Sequence, residues 1–216
     1  FFNVNGMSAK TGALDYKLYH GDIEHWDFHD WSFHAFIPAI IGDFPQPFLG
    51  GFQGKILPTI VVYDEGFQEV AQNLISKLEK LGVGNIHMAG PASSAYSKKY
   101  SNLILLGTKD FELISELNKN YKKLGFYINF QDGEVVVYDS QGNKTQYQSG
   151  CGLIQATQNP WNPKGIGACE NVVWMISGTN KAQVRNAVDV LTNHYEELRY
   201  ACAAVIANGE VIKVPK

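Results

Sequence analysis

The sequence predicts an α/β fold with a largely parallel central sheet flanked by helices, preceded by a small N-terminal β appendage and an aromatic loop. After Pro58, short β-branched runs alternate with apolar residues at helical spacing, which is typical of such sheets. Before Pro58 the chain is rich in aromatic residues, Gly and Pro and has no helical period. A hydrophobic content of 45% in 216 residues suffices for a well-filled core. We therefore divide the chain into region 1–58 and region 59–216.

Region 1–58 contains three strand signals, at 1–4, 16–18 and 23–31, and one loop signal. The apolar run 1–4 ends at an Asn5-Gly6 turn. The prolines and glycines of 43–51 are incompatible with a sheet interior and predict a loop. The alternation over 23–31 assigns side chains to two opposite faces of a strand: Trp26 and Phe28 to one, and His25, Asp27 and His29 to the other.

Region 59–216 contains the predicted α/β core. Two turn signals, Asp132-Gly133 and Asn208-Gly209, lie between apolar runs and predict hairpins. Helices are predicted where apolar residues recur at steps of three and four, at 67–81, at 111–121 and after Thr179. The predicted strands are 59–63, 85–88, 103–106, 126–130, 134–138, 152–157, 172–177, 205–206 and 211–212.

Composition excludes several function classes. The net charge is −3 and no basic cluster is present, so a nucleic-acid partner is not expected. The longest uncharged apolar stretch, at 36–41, is too short to span a bilayer. The sequence has no phosphate-binding glycine motif and no legible pairing of a nucleophile with a base. We therefore expect a protein that is not an enzyme.

Four histidines lie close together between residues 20 and 34, among several aspartates. On a strand, His25, Asp27 and His29 share one face, and two imidazoles with a carboxylate form an open facial metal site. The alternative is that these residues form the solvated face of an antiparallel sheet. A divalent metal ion is accordingly one of two candidate cofactors.

Two further segments are candidates for ligand binding. The stretch 26–52 contains eight Phe and Trp residues, which either plug the core under their own loop or form a stacking surface for a flat or apolar ligand or a partner. The loop 159–167 follows a buried strand and is expected at the carboxyl end of the sheet, where ligands of open α/β folds bind; a rigid structural loop is the alternative. The residues assigned to this ligand or interface surface are Trp26, His29, Trp31, His34, Phe44, Phe48, Asn159 and Trp161.

The cysteines indicate an oxidising cellular compartment only if two of them form a disulfide. Cys151 and Cys169 bracket a Gly- and Pro-rich loop, so a disulfide would close it in an oxidising compartment. Buried free thiols are the alternative. The chain does not begin with Met and shows no signal peptide, so we expect a processed product.

Residues 1–35 carry the pieces FFNVNG, ALDYKL and GDIEHW. They resemble the final strands of the transcobalamin-like C-terminal domain, a β-grasp module of secreted bacterial proteins in which an aromatic strand ending in V-N-G precedes a G-D-x-x-x-W strand. The upstream strand–helix half of that module is absent here, so it is either removed or supplied by another chain. The resemblance therefore implies an incomplete β-grasp in region 1–58.

Residues 100–215 resemble the α/β domain of prokaryotic surface-layer-type proteins in the pieces NLILLG, NPWN and SGT. The two resemblances imply a location outside the cell or on its surface, and neither carries a catalytic residue. The first implies a corrinoid or similar flat cofactor, which His25, His29 or His34 would approach axially.

Three hypotheses follow for the function. The first is a secreted or surface-anchored, non-catalytic binding protein for a small flat or apolar ligand, with a membrane transporter or surface assembly as a further partner. The second is a surface assembly protein that uses the aromatic segment for self-association. The third is a metal-binding surface protein that uses the histidine cluster.

Overall fold

A computed structural model describes residues 1–28, 30, 32–91, 93, 97–147 and 150–215. Within these ranges the chain forms thirteen strands and three α-helices, together with two short 3-10 turns. The strands are β1 (Phe2–Val4), β2 (Met7–Ser8), β3 (Glu24–Trp26), β4 (Thr59–Tyr63), β5 (Ile86–Ala89), β6 (Asn102–Leu106), β7 (Ile128–Gln131), β8 (Glu134–Tyr138), β9 (Lys144–Tyr147), β10 (Cys151–Gln158), β11 (Val172–Gly178), β12 (Ala203–Ala207) and β13 (Glu210–Val214). The helices are α1 (Gln68–Lys80), α2 (Glu112–Lys119) and α3 (Lys181–Asn193).

The prediction of a largely parallel sheet flanked by helices is wrong, because the seven-stranded central sheet is mixed. Its strand order is β13-β12-β10-β11-β6-β4-β5. The ladders from β11 through β6 and β4 to β5 are parallel, and those from β11 through β10 and β12 to β13 are antiparallel. No helix joins β10 to β11, so the chain turns back and runs antiparallel. Two further sheets, β2-β1-β3 and β7-β8-β9, make the fold mainly β.

The central sheet is covered on both faces. Helices α1 and α3 pack on one face, over Ile104, Ile154 and Trp174. Helix α2 and the sheet β7-β8-β9 share the apolar cluster of the other face with Leu105 and Met175. Because both faces of the sheet are covered and excluded from solvent, even the antiparallel strand β10 is buried over its whole length.

The small sheet β2-β1-β3 is tied to the central sheet through side chains and main-chain bonds. Val4 and Met7, which flank the Asn5-Gly6 turn, belong to the same apolar cluster as α1 and α3. The side-chain amide of Gln158, at the end of β10, donates hydrogen bonds to the carbonyl oxygens of Ser8 (3.1 Å) and Pro38 (3.0 Å). Region 1–58 thus contributes to the same core as region 59–216, while the proposed boundary at Pro58 stays a prediction.

Among the described residues, none of the helices combines the length and the apolar character needed to cross a lipid bilayer.

Candidate functional site

The aromatic segment 26–52 divides between the core and the surface. Phe44 and Phe48 are buried, and both rings contact Trp174 of β11, at centroid distances of 5.6 and 5.4 Å. Trp26 is 66% exposed, and its ring contacts that of Phe2. The described residues of the segment therefore do not form one continuous stacking surface, and Phe44 and Phe48 act as core residues.

The other residues assigned to this segment are a buried histidine and two positions outside the described residues. His34 is 5% exposed, and its Nε2 hydrogen-bonds the carbonyl oxygen of Phe126 at 3.0 Å. Its ring also packs against Tyr127. His34 thus joins the N-terminal region to the start of β7. His29 and Trp31 lie outside the described part of the chain.

His25, the first residue of the proposed metal triad, pairs with a buried carboxylate. Its Nδ1 lies 3.2 Å from Oδ1 of Asp43, whose Oδ2 accepts the main-chain N–H of Gly6 at 2.9 Å. No group of three or more His, Cys, Asp or Glu side chains suited to a metal ion occurs among the described residues. Since His29 is not among them, the triad with Asp27 stays a prediction.

The pairing makes the stability of the fold dependent on pH. The hydrogen bond to Asp43 raises the pKa of His25 above its ordinary value, against an opposing effect of burial. Because the folded-state pKa is raised, the stabilisation is complete below the unfolded-state value of about 6.5 and is lost as pH rises through the folded-state pKa. We expect the free energy of unfolding to fall over this range. Urea titrations between pH 5.5 and 8.5 measure it.

The matched variants are His25→Gln, which removes the titrating ring, and His87→Gln, which removes an exposed one. His25→Gln should flatten the dependence on pH above pH 6, and His87→Gln should leave it as in the parent. An unchanged slope in His25→Gln would show that another group causes it.

The loop 159–167 lies at the opposite end of the parallel strands from the one expected. It follows the carboxyl end of β10, but β10 is antiparallel to β11, so the loop lies where β11, β6 and β4 begin. Asn159 is buried, and its amide donates to the carbonyl oxygens of Lys98 and Ser101. Trp161 donates from Nε1 to Glu116 Oε1 at 2.9 Å, beneath the ammonium of Lys98. These contacts are those of a rigid connector.

No disulfide joins Cys151 to Cys169, so the disulfide alternative is wrong. Cys151 begins β10, whereas the N–H of Cys169 is bonded to Gln158 at its end. The eight residues of β10, from Cys151 to Gln158, span roughly 20 Å. The two thiols therefore lie too far apart for a disulfide.

A pocket of about 200 Å³ lies where the N-terminal region meets the loop that precedes β11. We call it the junction pocket. The residues that line it are Lys10, Phe52, Gln53, Lys55, Leu57, Tyr100, Cys169 and Glu170. Its walls combine two aromatic rings and an aliphatic side chain with two ammonium groups. The pocket is thus a mainly apolar cleft that also has two lysines and one glutamate, Glu170, in its lining.

A tight turn places one aromatic ring beside one lysine. Gln53 and Gly54 have φ angles of 54° and 70°, and the N–H of Lys55 returns to the carbonyl oxygen of Phe52 at 3.1 Å. Both central residues are left-handed, as in a two-residue hairpin turn. Gly54 also has no room for a side chain, since a Cβ there would lie 2.9 Å from the ring of Tyr19. The turn therefore fixes Lys55 at the edge of Phe52.

The rear wall of the junction pocket is held by one buried amide. Gln158 Oε1 accepts the N–H groups of Gly167 (2.9 Å) and Cys169 (2.8 Å). Cys169 has a φ of 56°, unusual for a residue other than glycine, and its thiol contacts the carbonyl oxygen of Ser8. Burial raises the pKa of this thiol, although Lys10 partly opposes the rise. The sulfur is therefore a neutral, polarisable wall at neutral pH.

The charges around the junction pocket leave a positive excess. Lys10 Nζ donates to the carbonyl oxygen of Ala168 at 3.1 Å and lies 5.9 Å from the centre of the Phe52 ring. Within the described ranges, neither Lys10 nor Lys55 forms an ion pair. The nearby carboxylate of Glu170 is bonded to Lys164, which lowers the pKa of Glu170. Glu170 lines the pocket and also interacts with Lys10, so a carboxylate ligand would meet two lysines and one carboxylate that Lys164 already pairs with.

A row of aromatic rings connects the junction pocket to the exposed strand β3. Trp26 contacts Phe2 at a centroid distance of 5.0 Å, and Phe2 contacts Tyr16 at 6.2 Å. Tyr16 in turn contacts Phe52, the floor of the pocket, at 5.3 Å. Of the predicted ligand residues that the structure describes, Trp26 belongs to this row. One feature of the pocket, the Gln53-Gly54 turn, has a signal in the sequence. Lys10 and Cys169 are 159 positions apart, and no sequence signal predicts that they line the same pocket.

Comparison with models of known protein families gives no match for this chain. No curated protein is detectably similar to it in sequence.

Proposed function

We propose that this chain is a non-catalytic binding protein that takes a small, flat, anionic ligand in the junction pocket. The observation that carries the proposal is the convergence of Phe52 and Tyr100 with Lys10 and Lys55 around one cleft. Few polar groups on mostly apolar walls are the usual composition of a small-molecule site. Sites of this kind occur preferentially where two parts of a protein meet.

The size of the pocket limits the ligand class. A volume of about 200 Å³ lies below the ~300–1,000 Å³ of drug-sized sites and suits a single ring with one acidic group. A corrinoid, whose macrocycle joins four rings, is far larger. We therefore replace the corrinoid expectation with a monocyclic carboxylate. The extracellular location remains part of the proposal and is supported by the two sequence resemblances alone.

Benzoate is the probe that tests the proposal. At ~0.5 kcal/mol per non-hydrogen atom, its nine atoms give a dissociation constant on the order of 0.5 mM. Amide chemical-shift changes in a ¹H–¹⁵N titration should concentrate at residues 52–57, 100 and 169. Cyclohexanecarboxylate, which is not flat, and benzylamine, which is cationic, should bind more weakly.

The variants Lys10→Gln and Lys55→Gln test the two lysines of the pocket. Each should weaken benzoate binding about 2- to 5-fold, the effect of one exposed ion pair of up to ~1 kcal/mol. The bond from Lys10 to Ala168 is exposed to solvent, so its loss should leave the fold intact in Lys10→Gln. Lys119→Gln, at the end of α2, is the matched control and should bind as the parent does. Equal binding of benzylamine, or shifts confined to other residues, would contradict the proposal.

A further inference from the structure

The outer edge of β3 presents main-chain groups that no described strand pairs with. In the ladder with β1, the N–H of Asp27 donates to the carbonyl oxygen of Phe1 (3.0 Å), and the N–H of Asn5 donates to that of Ile23 (2.9 Å). His25 lies opposite Asn3 between these two bonds. Odd-numbered residues of this stretch therefore face β1, and those between them face outwards.

The outward groups belong to Glu24 and Trp26. In the described part of the chain, β3 is an edge strand of the sheet β2-β1-β3. The strand is exposed along its outer side, and Phe28 just beyond it is 101% exposed. Proteins usually protect such edges with lysine, proline or a covering segment. Here the edge instead displays two large aromatic side chains, Trp26 and Phe28.

The surroundings of this edge are strongly acidic. Residues 13–30 contain five carboxylates and one lysine, a net charge of −4, which is more negative than the −3 of the whole chain. Asp15, Glu24 and Asp30 are exposed. A second copy of the chain would bring two such segments together and be repelled. The charge is complementary to a cationic partner.

We propose that the outer edge of β3 binds an extended, positively charged segment of a partner protein, which adds to the sheet as a fourth strand. The N–H and C=O groups of Glu24 and Trp26 supply the main-chain hydrogen bonds. Apolar side chains of the added strand pack on Trp26 and Phe28, and its lysines or arginines face Glu24. This site is separate from the junction pocket and does not depend on what the pocket binds.

The probe for this proposal is a capped seven-residue peptide in which lysine and valine alternate. It should bind saturably with a dissociation constant on the order of 0.1 mM at low salt. The same peptide with alternate amides N-methylated keeps its charge and side chains but loses strand donors, and should bind at least tenfold more weakly. A glutamate–valine peptide should not bind. Hydrogen exchange of the Trp26 amide should slow when the peptide is bound, while that of His25, already paired with β1, should not change.

Two variants test whether the peptide binds at the outer edge of β3. Trp26→Pro removes an outward N–H that the ladder with β1 does not use, and should weaken peptide binding at least tenfold while the amide spectrum of the remaining chain persists. Glu24→Lys should weaken binding about fivefold, whereas Glu79→Lys, on an exposed position of α1, should not. Equal affinity for the N-methylated peptide, no saturation up to 2 mM, or self-association of the chain that Trp26→Pro abolishes would overturn the proposal.

Discussion

Phe48→Ala is expected to lower the free energy of unfolding by about 3–5 kcal/mol, the usual cost of deleting a fully buried phenylalanine ring. Phe48 is 0% exposed and its ring contacts that of Trp174 in the middle of the central sheet. In a chain of this length the loss corresponds to a drop in melting temperature of roughly 10 °C. Thermal and urea unfolding followed by circular dichroism measure it.

Trp26→Ala is the matched control for this prediction. Trp26 is also aromatic and also lies in the 26–52 segment, but it is 66% exposed, so its removal should cost less than about 1 kcal/mol. Equal stability losses in the two variants would mean that exposure does not separate core from surface in this segment. A Phe48→Ala protein with parental stability would contradict the packing described for Phe44 and Phe48.

Gln158→Leu is expected to be as damaging, although it replaces one side chain by another of similar size. The amide satisfies four buried or half-buried main-chain groups, the carbonyl oxygens of Ser8 and Pro38 and the N–H groups of Gly167 and Cys169. Leaving a buried group unpaired costs about 1–3 kcal/mol. We therefore expect a loss of at least about 3 kcal/mol in urea unfolding.

The same strand offers the control. Gln155 is equally buried, but it makes one main-chain hydrogen bond, to Ile128, and its Oε1 has no partner in the described part of the chain. Gln155→Leu should therefore cost clearly less than Gln158→Leu. Gln158→Leu should also abolish benzoate binding in the folded fraction, because Cys169 loses its anchor. The reverse order of stabilities would show that the four contacts of Gln158 contribute little.

Local signals in the sequence predicted much of the secondary structure. The pairs Asn5-Gly6 and Asn208-Gly209 both take left-handed φ angles, as the hairpin turns require. The helical period of Ala71, Leu74 and Leu78 places α1 against the sheet as expected. These features depend on neighbours within a few residues, so the sequence alone carries them.

Strand direction did not follow from the sequence. A strand buried on both faces is typical of a parallel sheet, and β10 is buried on both faces while pairing antiparallel on both sides. The cover on its second face comes from β7-β8-β9, and in β9 three exposed polar residues precede a single half-buried aromatic residue, Tyr147, which is too little for an apolar signal. The burial of β10 was predictable from the sequence. Its direction relative to β11 depends on how the connection between the two strands runs, which the residue types do not show.

The candidate site was harder to predict, for a similar reason. Phe28 and Phe48 are the same residue type in the same segment, and what separates them is the presence of Trp174 opposite one of them. Lys10 and Cys169 meet through contacts between the first and last thirds of the chain. No periodicity or motif in the sequence predicts such a long-range contact.

The packing of Phe44 and Phe48 on Trp174 has a consequence for synthesis. During translation, Phe44 and Phe48 are synthesised more than a hundred residues before Trp174, which covers them in the folded protein. At ~5–20 residues per second, the nascent chain carries these apolar side chains uncovered for roughly 10 s. The N-terminal region therefore completes this packing only after β11 has been translated, and until then its uncovered phenylalanines are accessible to chaperones and prone to aggregation.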